Sequence, residues 1–81
     1  MSTIAILNKI NEVVRSVLNN QEISLEFGTL ISEVEEWDSL RHIVIIGSIQ
    51  DEFNISIDTK DLINIEKVGD ICNIVSLKSN A

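Results

Sequence analysis

The sequence contains no proline and no tyrosine, and it has only three glycines among 81 residues. Proline and glycine mark the tight turns between short strands, so their scarcity argues against a fold built from many such strands. Aromatic residues make up only 4% of the chain, while 44% of it is hydrophobic, mainly Ile, Val and Leu. This composition favours helices joined by polar loops.

The chain has one cysteine, Cys72, so a disulfide within it is excluded. Because Cys72 falls in an apolar periodic stretch, we interpret it as a small buried hydrophobic residue rather than a nucleophile. No apolar run approaches the roughly 20 residues that span a bilayer. The start of the chain also lacks a basic region followed by an apolar run, so we expect no secretory signal. These features predict a single cytoplasmic domain over residues 1–81, monomeric and without membrane partners.

Positive charge is scarce: six Lys and Arg residues face thirteen Asp and Glu residues, which gives a formal net charge of −7. Because this charge would repel a phosphate backbone, we expect no nucleic-acid partner. Partner proteins with basic patches fit better. Four acidic residues, Glu33, Glu35, Glu36 and Asp38, cluster in one segment. The three glutamates lack the ligand spacing of a dedicated cation site, so we expect no metal site and interpret them as a solvated face.

Near the start, apolar residues recur at spacings of three and four, which predicts an amphipathic helix capped by Ser2 or Thr3. They are Ile4, Leu7, Ile10, Val13, Val14, Val17 and Leu18. We assign the other face of this helix to Asn8, Lys9, Asn11, Glu12 and Arg15. A long polar connection follows, from about residue 19 to 37. We expect the side chains of Leu30 and Val34 to hold it against the bundle.

A second helix is predicted to start at Asp38 or Ser39, because both residues are good N-caps. Its inner stripe is assigned to Leu40, Ile43, Val44, Ile46, Ile49 and Phe53. An extended connector at 54–58 leads to a short turn over 61–64, with Leu62 and Ile65 pointing inward. A last helix at about 67–77 buries Val68, Ile71, Cys72 and Val75. The prediction is an all-α four-helix bundle with three main helices and one short helix.

The segment Asp38-Ser39-Leu40 is the one motif in the sequence that could carry a chemical function. A serine in the first turn of a helix shows its hydroxyl near the positive end of the helix dipole. An anionic group attached there gains about 0.3–1 kcal/mol at an exposed site. Taken alone, Asp-Ser at a helix start is explained by capping. The position nevertheless suits a phosphate-linked arm that an outside enzyme attaches.

The order of elements around this motif resembles that of the acyl carrier protein family over nearly the whole chain. The run 36–43 (Glu-Trp-Asp-Ser-Leu-Arg-His-Ile) and the run 51–55 (Asp-Glu-Phe-Asn-Ile) are similar to the family's modification-site helix. Downstream, the apolar residues Ile57, Leu62, Ile65 and Val68 fall at the spacings where the family places its core.

This resemblance implies that Ser39 receives 4′-phosphopantetheine from coenzyme A, transferred by a phosphopantetheinyl transferase. The terminal thiol of the arm would hold acyl or aminoacyl groups as thioesters, as in fatty acid or polyketide biosynthesis. Asp38 would help to engage the transferase and its metal, and Leu40 would pack while contacting partners. The motif contains no base, so no enzymatic activity is expected. The implied partners are the transferase and the loading and processing enzymes, with basic docking patches. The implied docking residues are Glu36, Asp38, Leu40, Arg41, Ile43, Val44 and Asp51.

The chain departs from the family pattern near the motif. Val44 stands where the family often has glutamate, Gly47 where it has a larger apolar residue, and Gln50 in a usually acidic run. Arg41 and His42 put basic side chains beside Ser39, and the proline common after the second helix is absent. These departures argue against the enzymes of standard fatty acid synthesis as partners. A tryptophan directly before the aspartate, as at Trp37, resembles the sequences of carriers that serve specialised pathways.

Three alternatives stay open. The first alternative is an aminoacyl or D-alanyl carrier. The second is a helical interaction module without a prosthetic group, in which Ser39 only caps a helix. An enzyme is the weakest alternative, because no acid–base or metal set is assembled. Among single residues, we interpret His42 as a solvated surface histidine and Trp37 as an anchor that closes the long loop. Gly47 serves either close helix packing or a gap for an acyl chain.

Overall fold

The computed structural model describes residues 2–79, which form four α-helices and one short 3-10 helix. In chain order these are α1 (Thr3–Leu18), the 3-10 helix (Ile31–Glu33), α2 (Ser39–Phe53), α3 (Thr59–Leu62) and α4 (Val68–Ser79). Across residues 2–79, no helix combines the length and the apolar character needed to cross a membrane. The predicted bundle of three main helices and one short helix is confirmed.

The ends of the long helices follow from local chemistry. Ser2, rather than Thr3, caps α1, because its hydroxyl accepts the Ala5 N–H at 3.1 Å. Asn19 ends α1 and Asn54 ends α2, each in the left-handed conformation, with φ of 53° and 55°. Asparagine tolerates that conformation better than most residues, so these two positions terminate the helices without glycine.

The core is almost entirely aliphatic, and α1 packs against both α2 and α4 to enclose it. Its buried residues are Ile6, Leu7, Ile10, Val14, Leu18, Leu25, Trp37, Ile45, Ile46, Ile49, Ile57, Val68, Ile71, Cys72 and Val75. Cys72 is fully buried, and this burial raises the pKa of its thiol to about 11. The interpretation of Cys72 as a small hydrophobic residue is therefore confirmed.

Two polar residues of α1 do not lie on its solvated face, and that part of the sequence prediction is wrong. Asn11 is only 6% exposed, and its side chain bonds to the backbone of Leu25. Arg15 is half-buried and donates from Nε to the carbonyl of Ile23 at 2.6 Å. Both side chains form hydrogen bonds to the backbone of the long loop, because the loop lacks the regular backbone hydrogen bonds of a helix or a sheet.

The long loop is tied to the start of α4 through backbone hydrogen bonds. The carbonyl of Thr29 accepts the Val68 N–H at 2.9 Å, and that of Phe27 accepts the Gly69 N–H at 2.8 Å. These bonds satisfy donors that a helix N-terminus otherwise leaves unpaired. An isolated antiparallel bridge joins Leu30 to Lys67. The loop therefore delivers the chain to the start of α2 along a fixed path.

The side-chain anchors of the loop are partly as predicted. Val34 packs against the core, and Trp37, only 6% exposed, closes the loop onto the bundle. Leu30 is 38% exposed, so the prediction for its side chain is wrong. Its backbone, rather than its side chain, holds this part of the loop.

The short third helix starts earlier than predicted, at Thr59 instead of residue 61, because Asp58 takes the extended N-cap conformation. Leu62 and Ile65 are partly buried against the core, as expected, whereas Ile63 between them is exposed. The connector at 54–58 has no regular structure beyond the turn at Asn54.

Candidate functional site

Ser39 is the first residue of α2, and its side chain is exposed. The residue before it, Asp38, is extended (φ −94°, ψ −178°) and accepts the Arg41 N–H on Oδ1 at 2.8 Å. Of the two candidate caps, Asp38 therefore caps the helix. The Ser39 hydroxyl is not needed for the cap, and it stands at the positive end of a 15-residue helix.

Asp38 is ionised and paired beside Ser39. The backbone N–H of Arg41, together with its guanidinium, lowers the pKa of the Asp38 carboxyl below its ordinary value. Arg41 Nη1 lies 2.7 Å from Asp38 Oδ2 in an exposed ion pair. The site thus places an ionised carboxylate, paired with Arg41, in the residue directly before Ser39.

Trp37 and His42 join the end of the loop to the first turn of α2. The indole Nε1–H donates to His42 Nδ1 at 2.9 Å. His42 is half-buried, and this burial lowers the pKa of its imidazole below the ordinary value. The interpretation of His42 as a solvated surface histidine is therefore wrong. No sequence pattern indicates this bond, because it links a loop residue to a helix residue and no periodicity relates the two.

A cleft of about 280 Å³ opens beside Ser39. It is lined by Ile31, Trp37, Asp38, Ser39, His42 and Ile65. Ile31 comes from the 3-10 helix and Ile65 from the segment after α3. The long loop and the segment before α4 thus form the apolar walls of the cleft. The sequence pattern of the second helix alone does not indicate Ile31 or Ile65, because neither residue lies in that helix.

One face of α2 is apolar and exposed. Leu40 is 72% exposed, Ile43 70% and Val44 49%, while Ile45, Ile46 and Ile49 point into the core. The predicted inner stripe is therefore wrong for Leu40, Ile43 and Val44, and Leu40 does not pack within the bundle. Four consecutive apolar residues, 43–46, surround the helix axis, and periodicity alone does not select the buried side.

All seven residues named as a docking surface are exposed. Spacings of three, four and seven place Leu40, Ile43, Val44 and Asp51 on one side of α2. Glu36 lies apart from them in the loop, where its carboxylate accepts a hydrogen bond from Asn20 at 2.7 Å. The structure therefore offers a continuous surface on α2 and a separate acidic contribution from the loop.

Gly47 lies on this same exposed side of α2, since it follows Ile43 by four residues and Val44 by three. A Cβ atom placed on Gly47 would have no neighbour within 4 Å. Close helix packing is therefore not the reason for this glycine. The loop glutamates Glu33, Glu35 and Glu36 are exposed, as predicted. Residues 2–79 contain no group of three metal-ligating side chains.

Comparisons with known proteins find a similar fold among solved structures. No protein-family model matches the sequence, and no curated protein matches it. Among solved structures, the fold is similar to the solution NMR structure of a holo acyl carrier protein from Geobacter metallireducens, with a TM-score of 0.83. The two chains are 28% identical, and the match covers 89% of this chain and 83% of that one. The chain therefore has the fold of an acyl carrier protein, and an exposed serine opens its second helix.

Proposed function

We propose that this chain is a carrier protein that bears 4′-phosphopantetheine on Ser39 and shuttles thioester-bound acyl intermediates between biosynthetic enzymes. The observation that carries the proposal is the exposed Ser39 at the first turn of α2, in a fold that matches a holo acyl carrier protein. The likeness to that protein argues for a carrier rather than a catalyst.

The residues around Ser39 fit such an arm. The hydroxyl is exposed, so a transferase has access to it, and the phosphate would sit at the positive end of α2. In the transfer, Ser39 Oγ bonds to the phosphorus of coenzyme A that carries pantetheine, and the pyrophosphate P–O bond breaks. Adenosine 3′,5′-bisphosphate leaves, and the hydroxyl proton passes to a base of the transferase. Asp38 would contribute its carboxylate toward a metal that the transferase supplies. When bound, the arm supplies a terminal thiol that carries acyl groups as thioesters.

The exposed apolar face of α2 suits the partner enzymes. Leu40, Ile43 and Val44 are large apolar side chains at least 49% exposed, which is costly unless a partner covers them. The net charge of −7 would steer the chain toward enzymes with basic patches around their active sites. Once docked, a tethered thioester reaches those active sites at high effective concentration.

Intact-mass spectrometry tests the attachment. Wild-type apo protein incubated with coenzyme A, Mg²⁺ and a broad-specificity transferase should gain one arm, and Ser39→Ala should gain none while keeping its helical circular dichroism. The exposed serine Ser56 supplies the matched control, because Ser56→Ala should be modified like the wild type. An unmodified wild type would contradict the proposal.

An aminoacyl or D-alanyl cargo is the second candidate. Its support is the basic Arg41 next to Ser39, together with His42 in the adjoining cleft, which set this site apart from acidic fatty-acid carriers. Loading of the holo protein by an amino-acid-adenylating enzyme, compared with a fatty-acid-adenylating one, distinguishes the two cargo classes. A helical module in which Ser39 serves only as a cap is disfavoured, because Asp38 provides the cap.

A further inference from the structure

The hydrogen bond between Trp37 and His42 fixes the protonation pattern of the imidazole. An indole N–H only donates, so His42 Nδ1, at 2.9 Å from Nε1 of Trp37, must be the unprotonated acceptor. A neutral imidazole with a bare Nδ1 carries its proton on Nε2. His42 is thereby held as a neutral hydrogen-bond donor whose N–H points away from Trp37.

That donor lies next to Ser39. The two residues are three positions apart on α2, so their side chains are neighbours on the helix surface, and both line the same cleft. Every buried side-chain nitrogen in residues 2–79 has a hydrogen-bond partner, and the bonds found there include none from Nε2. Nε2 therefore reaches solvent, on a residue that borders the cleft.

We propose that His42 is a positioning residue for the arm: its Nε2–H, set by Trp37, donates to the phosphate attached at Ser39 and holds the inner end of the arm at the cleft. This proposal rests on the proposed function. The other ionisable residue of the cleft is Asp38, whose carboxylate is engaged by the backbone and guanidinium of Arg41. The facing segments contribute only apolar Ile31 and Ile65 to the lining.

The phosphodiester would bring a negative charge beside His42. Because an opposite charge favours the protonated imidazole, the pKa of His42 should be higher in the holo protein than in the apo protein. The phosphodiester itself does not titrate between about pH 5 and pH 8, where histidine does. A change of the ³¹P resonance in that range, with the midpoint of His42, would therefore report contact between the two groups.

Long-range ¹H–¹⁵N and ³¹P NMR titrations of apo and holo protein test the proposal. In the apo wild type we expect the Nε2–H tautomer. Trp37→Phe, which keeps an aromatic ring in the core, should release the other tautomer. In the holo wild type the ³¹P resonance should follow the titration of His42. In holo His42→Gln, whose amide keeps a donor, that pH dependence should disappear.

Two results would overturn the proposal with the arm in place: a His42 pKa equal in apo and holo protein, or a ³¹P resonance that ignores the titration of His42. An unchanged tautomer in Trp37→Phe would overturn the role given to Trp37. Intact mass separates these failures from that of the proposed function. If no arm is attached at all, the proposed function and this inference fall together.

Discussion

The side chain of Asn11 and the backbone of Leu25 form a reciprocal pair of hydrogen bonds. The Leu25 N–H donates to Asn11 Oδ1 at 2.7 Å, and Asn11 Nδ2 donates to the Leu25 carbonyl at 3.2 Å. Asn11 is buried among aliphatic residues, so this amide acts for the loop as a strand partner would. It holds the loop that ends at Trp37 and Asp38, directly before Ser39, and thus links the core of α1 to the site.

Replacement of Asn11 by Leu should destabilise the fold by about 1–3 kcal/mol, because it leaves a buried N–H and carbonyl of Leu25 without partners. Urea unfolding measures the loss. Asn8→Leu, at an exposed position of the same helix, is the matched control and should change the free energy of unfolding by less than about 0.5 kcal/mol. Equal effects of the two substitutions would contradict the anchoring role.

Two glycines should respond to alanine with opposite signs. At Gly47 a Cβ meets open space, so Gly47→Ala should stabilise the protein by up to about 1 kcal/mol through helix propensity. At Gly69 a Cβ would lie 2.7 Å from the backbone oxygen of Phe27, so Gly69→Ala should destabilise it by about 1–3 kcal/mol. Thermal and urea unfolding of both variants check the signs. Destabilisation by Gly47→Ala would show an unrecognised contact on the exposed face of α2.

The start of α4 should be sensitive to acid through Asp70. Its Oδ2 accepts the N–H groups of Glu66 and Lys67, both at 2.9 Å, and these bonds lower the pKa of Asp70 below its ordinary value of 3.8. The ionised form therefore stabilises the fold above that ordinary value, and the contribution is lost as the pH falls through the lower, folded-state pKa. The stability gap between wild type and Asp70→Asn should be present at neutral pH and close in acid. Urea unfolding over that range measures it, and a gap independent of pH would contradict the role of the charge.

Thiol labelling should distinguish the thiol of the arm from that of Cys72. Cys72 is fully buried and its pKa is about 11, so native apo protein should react slowly with iodoacetamide at about pH 8. Holo protein should show one fast-reacting thiol, that of the arm, and Cys72→Ala should leave that reaction unchanged. A fast reaction of the native apo protein would show that Cys72 is accessible.

The sequence predicted the helices well and their faces less well. The periodic apolar residues locate α1 and α4, and the cap at Asp38 locates the start of α2, because burial and capping leave local patterns. The exposed face of α2 was assigned to the core, since Leu40, Ile43 and Val44 have the same chemistry as buried residues. An exposed apolar face cannot be told from a buried one by composition alone.

The sequence-based predictions were also wrong for polar side chains that form hydrogen bonds within the fold. Polarity alone predicts solvent-exposed positions for Asn11 and His42, whereas their partners, Leu25 and Trp37, lie in the loop. Hydrogen bonds between a helix and an irregular segment follow no period, so the sequence contains no pattern for them. By contrast, the position of Ser39 followed from the helix start alone.

The most direct measurement is fragmentation mass spectrometry of the modified protein, which identifies the serine that carries the arm. The chain has nine serines, several of them exposed, so the result discriminates between them. We expect the phosphopantetheine to map to Ser39 and to no other residue. An arm on a different serine, or a wild type that accepts none from an active transferase, would contradict it.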